Sequence, residues 1–142
     1  MGGKEKEKQV TVSVTLEIVL TQEDIDDIMC GALEGGINYW CRKAEVVGDY
    51  LGEYASEQIG RGGMLKLYDS EGDKTYELTR DKLLDGIKKY CEDTKRPYDI
   101  MYAGVNSVGC STGEYGLDCC MVDATVADMI IQYAVMGEIV YG

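Results

Sequence analysis

From Val10 the chain alternates strictly. Val10, Val12, Val14, Leu16, Ile18 and Leu20 fall on one face, and Thr11, Ser13, Thr15 and Glu17 on the other. A period of two marks a half-buried strand, so a long N-terminal strand is predicted. The period then lengthens. Ile25, Ile28, Met29, Ala32 and Leu33 recur at helical spacing behind Thr21, a residue suited to cap the first turn, with Glu23 and Asp24 where the helix dipole favours acids. Gly35-Gly36 is expected to stop this helix. Asp26, Asp27 and Glu34 lie off its apolar stripe and are expected in solvent.

The next stretch is less regular. Ile37 to Arg42 reads as a short helical turn and Glu45-Val46-Val47 as a short strand, while Tyr50 to Ile59 has loose helical spacing weakened by Gly52. Gly60-Arg61-Gly62-Gly63 breaks the pattern. Met64 to Asp69 and Lys74 to Thr79 then predict two strands, joined into a β-hairpin by Ser70-Glu71-Gly72-Asp73. Thr79 is placed to cap a helix from Arg80 to about Glu92, with Leu83, Leu84, Ile87, Tyr90 and Cys91 facing inward. Residues 93–120, with Gly104, Gly109, Gly113 and Gly116, read as a long loop, a length that is uncommon without a function. Asp123 caps a last helix with Val126, Met129, Ile130, Tyr133 and Ala134 inward and Gly137 as its stop. Glu138 to Tyr141 is expected to add a short strand. The pattern therefore predicts a single α+β domain over residues 9–142, with a long N-terminal strand, a β-hairpin and about three helices. Residues 1–8, alternating Lys and Glu, are expected to be a flexible N-terminus.

Charge narrows the partners. The 142 residues carry 26 acids against 14 bases, a formal charge of −12, which repels polyanions and disfavours general nucleic-acid or membrane-surface binding. It permits a small anionic ligand held by a few local cations. It also suits an acidic inhibitor or DNA mimic docking on a basic partner, or simple solubility. Histidine is absent, which removes the commonest general base and metal ligand, so an enzyme is not expected. The apolar runs are too short for a membrane span, and the start has no apolar leader, so a cytoplasmic protein with reduced thiols is expected. Its six Cys include Cys110, Cys119 and Cys120, whose spacing is not that of a zinc site. Neither a metal nor a cofactor is expected.

Two segments hold the candidate binding chemistry. The glycines of Gly60-Arg61-Gly62-Gly63 could present amides to a phosphate with Arg61 supplying charge, although the run matches neither a Walker loop nor a dinucleotide fingerprint. A helix stop leading into the hairpin is the better explanation of the run. Asn38, Tyr39, Trp40 and Arg42 combine a base-reading amide, two stacking faces and a phosphate partner. Trp40, the single tryptophan of a chain without Phe, reads first as the main core aromatic and only second as part of a site.

The segments Ala32-Leu33-Glu34-Gly35-Gly36-Ile37-Asn38-Tyr39-Trp40-Cys41, Gly48-Asp49-Tyr50-Leu51-Gly52-Glu53-Tyr54-Ala55-Ser56, Arg61-Gly62-Gly63 and Ile131 through Gly142 resemble those of small phage and prophage proteins from Gram-positive hosts. Within that group the likeness is to the anti-Thoeris sponge proteins. The resemblance implies a non-enzymatic homo-oligomer acting in the cytoplasm of an infected bacterium, where it sequesters a cyclic nucleotide immune signal of the cyclic ADP-ribose type. It brings no ligand residues with it. On side-chain chemistry the ligand-binding candidates are Tyr39, Trp40, Arg42, Arg61 and Asn106.

Overall fold

Thr21 starts the first helix as its composition suggests. Its hydroxyl accepts from the Asp24 amide at 3.0 Å while the Asp24 carboxylate accepts from the Thr21 amide at 2.9 Å, a reciprocal cap that satisfies two otherwise orphaned donors. In the computed structural model, which describes residues 8–105 and 111–142, this helix α1 spans Gln22–Gly31. It does not stop at the glycine pair directly. It widens into a π-turn over Ala32–Gly36, and a further turn at residues 37–40 delivers the chain into strand β2, Cys41–Val47.

The hairpin forms as predicted, from β3 (Met64–Asp69) and β4 (Thr75–Leu78). β2 pairs antiparallel with β3, giving a three-stranded sheet of order β2-β3-β4. Leu65, Leu67 and Leu78 face inward and are fully buried, while Lys66, Tyr68 and Glu77 alternate outward. Helix α2, Arg80–Glu92, has the predicted bounds, with the Thr79 hydroxyl accepting from the Lys82 amide at 3.3 Å. Helix α3, Ala124–Met136, is capped by Asp123, whose carboxylate accepts from the Val126 amide at 2.9 Å, and ends at Gly137, where φ is 79° and a side chain would be strained. α2 packs on α3, and α1 with its π-turn lies against α3. Leu83, Ile87 and Tyr90 therefore meet Ile28, Met29, Val126, Ile130 and Ile131 in one core. Leu84, expected inward, is 39% exposed. Each fully buried Ile or Leu here contributes about 1.5–3 kcal/mol.

Three expectations need correction. The N-terminal strand is short: the ladder of β1 covers only Ile18–Val19, parallel to Tyr115–Gly116. Val10, Val12, Val14 and Leu16 are exposed, Val10 at 99%. Alternation specifies two faces of a strand but not the element that covers one of them, and no ladder partner for residues 10–17 exists among the described residues. The presumed loop over 93–120 instead contains β5 (Met101–Val105) and β6 (Ser111–Leu117), antiparallel in a second sheet of order β1-β6-β5. Its glycines hid the strands. Gly116 lies opposite Tyr102, whose ring atoms come within 2.8–2.9 Å of the space a Cβ would fill, so an aromatic neighbour supplies the packing glycine lacks. The expected strand over 138–141 is not formed. The Gln132 side chain holds that segment, accepting from the Val140 and Tyr141 amides at 2.8 Å each. The expectation for residues 1–7 lies outside the described residues.

Candidate functional site

The register of β2 against β3 shifts between Cys41 and Lys43: Cys41 faces Asp69 and Lys43 faces the adjacent Tyr68, leaving Arg42 as an extra residue. Consecutive residues of a regular strand point to opposite faces, but a bulge turns the chain and re-aims a side chain. Both Arg42 and Lys43 consequently reach the Tyr68 ring. The Arg42 guanidinium carbon is 5.0 Å from the ring centroid and Lys43 Nζ is 5.4 Å away. Lys66, two residues before Tyr68 on the same face of β3, adds a third cation at 5.3 Å. Glu45 accepts from the Tyr68 hydroxyl at 2.8 Å and pairs with Lys43 at 3.1 Å, and these contacts, the tyrosine bond foremost, hold its pKa below the ordinary glutamate value. Against these three cations stand Glu45 and, opposite Lys66 in the ladder, Glu77, so the group keeps an excess of one positive charge on a chain of charge −12.

β2 is an outer strand of its sheet, and a cleft of ≈ 450 Å³ opens beside it. Leu33 and Ile37 from the π-turn region and Ala55 from a 3-10 turn (Ala55–Glu57) give it apolar surface, and Asn38, Arg42 and Lys43 give it polar and cationic surface. Arg42 also donates through Nε to the Asp69 carbonyl at 3.2 Å, which fixes its stem and leaves its two terminal nitrogens available at the exposed end. The lining mixes polar and apolar surface about evenly, and the volume is in the range of small-molecule sites.

The other candidates lie elsewhere. Trp40 is 2% exposed; its indole stacks on Tyr141 at 5.7 Å and meets Tyr76 edge-on at 6.1 Å. Its Nε1 donates to Asp128 Oδ1 at 2.7 Å. Tyr39, half-exposed, donates to the other carboxylate oxygen of Asp128 at 2.7 Å, and burial together with that bond pushes its pKa up to about 12. Gln132 completes the network, donating to Asp128 at 3.0 Å and to the Tyr141 carbonyl at 3.2 Å. This network ties the Tyr39-Trp40 pair to α3 and the C-terminal segment.

Arg61 bridges Asp26 at 3.5 Å and Glu57 at 3.6 Å, tying α1 to the 3-10 turn. Asp26 was expected in solvent, yet its Oδ1 is buried without a hydrogen-bond partner, and burial raises its pKa against the pull of Arg61. The amides of Gly62 and Gly63 bond to the Ile59 and Gln58 carbonyls at 3.0 and 2.9 Å, so these two close a turn of their own chain. Asn106 lies outside the described residues. Of the candidates, the structure thus puts Arg42 at the cleft, Tyr39 and Trp40 in the Asp128 network, and Arg61 in an acidic clasp. The cationic partners Lys43 and Lys66 and the central Tyr68 were missed in the sequence. The i, i+2 spacing of Lys66 and Tyr68 on a predicted strand was a usable signal, whereas nothing in the sequence announced the bulge.

The thiols of Cys41 and Cys119 carry no nucleophilic signature. Cys41 is buried and donates to the Lys43 carbonyl at 3.2 Å, and burial raises its pKa. Cys119 donates to Asp24 at 3.3 Å and is pushed up to about 12, mainly by burial. Both stay protonated at neutral pH, the unreactive form of a thiol. Among the described residues no group of three or more His, Cys, Asp or Glu could hold a metal ion, and no helix is long and apolar enough to cross a membrane. No protein-family model, curated protein or solved structure matches the chain.

Proposed function

We propose that this protein binds a small phosphorylated nucleotide in the cleft beside β2 and retains it unchanged, acting as a sink for a cyclic nucleotide immune signal of the cyclic ADP-ribose type. One observation carries the reading: the bulge brings Arg42 and Lys43 together at the rim of a cleft of mixed polar and apolar lining on an otherwise acidic chain. The arrangement suits such a ligand. The exposed end of a guanidinium matches phosphate oxygens, the ammonium adds a point charge, Asn38 can read a base edge, and Leu33 can take a base or ribose face. The sequence resemblance supplies the signal class and the setting, the cytoplasm of a phage-infected bacterium. The protonated thiol of Cys41 at the rim and a sequence without histidine support sequestration in place of turnover.

Titration calorimetry with cyclic ADP-ribose is expected to show binding that Arg42→Glu/Lys43→Glu weakens by about a hundredfold or more, since two charge-assisted contacts at roughly 1.5–3 kcal/mol each are lost. Heating the complex should release the nucleotide intact. Recovery of a hydrolysed product would overturn the sink, and unchanged affinity in the double variant would overturn the site. The rival reading, an acidic inhibitor docking on a basic protein, is motivated by the −12 charge. It predicts no nucleotide binding and a partner complex that dissolves at modest salt.

A further inference from the structure

We infer that residues 10–16 form an interface with a second copy of this chain, the two segments pairing antiparallel about Ser13. In one copy this segment is an unfinished strand: its residues alternate apolar and polar, Val10, Val12, Val14 and Leu16 are exposed, and no ladder among the described residues includes them. It runs directly into β1, the outer strand of its sheet, so a chain adding there extends an existing ladder. Exposed edges of this kind are templates for pairing.

The sequence names the occupant. Laid antiparallel on itself with Ser13 opposite Ser13, the segment sets Val12 opposite Val14, Val10 opposite Leu16 and Thr11 opposite Thr15. Every apolar residue meets an apolar residue, and every hydroxyl a hydroxyl. The ends agree as well, because Glu17 falls opposite Gln9 and not opposite a second Glu17. Residues 9–16 carry no charge at all, in a chain whose net charge is −12. Along this stretch two such acidic chains can approach without placing like charges in contact. A lone two-stranded ribbon is marginal in water, but here each strand continues into β1, which is bonded to β6, so the pairing joins two sheets into a larger one. The inference is independent of what the cleft binds.

Size-exclusion chromatography with light scattering on the full chain should show a dimer that strengthens with salt, as screening relieves the repulsion between two −12 bodies. Val12→Lys/Val14→Lys places lysines opposite each other twice across the dyad and should raise the dissociation constant by roughly tenfold or more. Trp40 fluorescence checks that this variant stays folded. The register has a sharper test. Under mild oxidation Ser13→Cys should link into a covalent dimer well above the native background, whereas Thr11→Cys, whose copies lie on opposite sides of the dyad, should not. A monomer at all salt concentrations, or equal linking by the two cysteine variants, would overturn the interface.

Discussion

Replacing Asp128 with alanine removes the acceptor at the centre of the Tyr39-Trp40-Gln132 network, and the loss can be worked out donor by donor. Trp40 Nε1 has Asp128 as its hydrogen-bond acceptor and is buried, so the substitution strands it, at about 1–3 kcal/mol. Gln132 Nε2 keeps the Tyr141 carbonyl and the Tyr39 hydroxyl, and the half-exposed Tyr39 hydroxyl can turn to water. These two losses together amount to about 1 kcal/mol. Asp128→Ala should therefore cost about 2–4 kcal/mol in all. Asp128→Asn keeps a carbonyl oxygen for Trp40 and Gln132 and disturbs only the Tyr39 contact, so it should cost about 1 kcal/mol. Tyr39→Phe should cost no more than that. Urea unfolding followed by the emission of Trp40, the single tryptophan, reads all three variants at the residue concerned. A loss in Asp128→Ala no greater than in Asp128→Asn would refute the argument, because it would mean that the stranded indole N–H carries no penalty.

Gly86→Ala tests the α2–α3 contact. A Cβ there would lie 2.5 Å from the Ile130 carbonyl and 2.9 Å from Ala134 atoms, so the gain in helix propensity of about 1 kcal/mol should be outweighed and a net loss of about 1–2 kcal/mol seen in the urea midpoint. Glu45, Glu57 and Asp93 all have pKa values held below normal by hydrogen bonds, so the folded state favours their charged forms. Their contribution is present above the unfolded values near ~4 and lost as pH falls through the lowered folded values, and the urea midpoint should drop over that range. Asp26 has the opposite sign, since burial raises its pKa and protonation relieves it. Asp26→Asn is expected to leave stability unchanged or raise it slightly near neutral pH, as the same denaturation would show.

The helices were the legible part of the fold. α2 and α3 announce themselves through Thr79, Asp123 and Gly137, residues whose own chemistry makes helix ends, and through apolar spacing that a helix converts directly into a buried face. The hairpin was readable for the same reason. The second sheet was not, because β5 and β6 take their packing from a partner strand: Gly116 looks like a loop residue until Tyr102 is placed over it. The N-terminal segment shows the converse, a strand pattern without a strand partner in the same chain. At the candidate site, Arg42 was recognisable as a cation near aromatics, but the cluster it joins is a property of register. Tyr68 lies 26 positions further along the chain, and the offset pairing of β2 brings Arg42 and Lys43 to a ring that Lys66 already flanks on β3. Trp40 reads first as core, but the Asp128 contact that fixes its orientation comes from α3 across a separation of 88 residues.

The bulge has a consequence for how the molecule can change. Beyond Arg42 the ladder is regular, and the core-facing pairs Ala44–Leu67 and Val46–Leu65 are set by the match of Lys43 with Tyr68. Deleting Arg42 would leave those pairs in place and straighten the strand, so the core would keep its shape while the cleft lost a cation and the paired aim of the other. The rim can thus be remodelled one residue at a time while the core-facing pairs beneath it stay fixed.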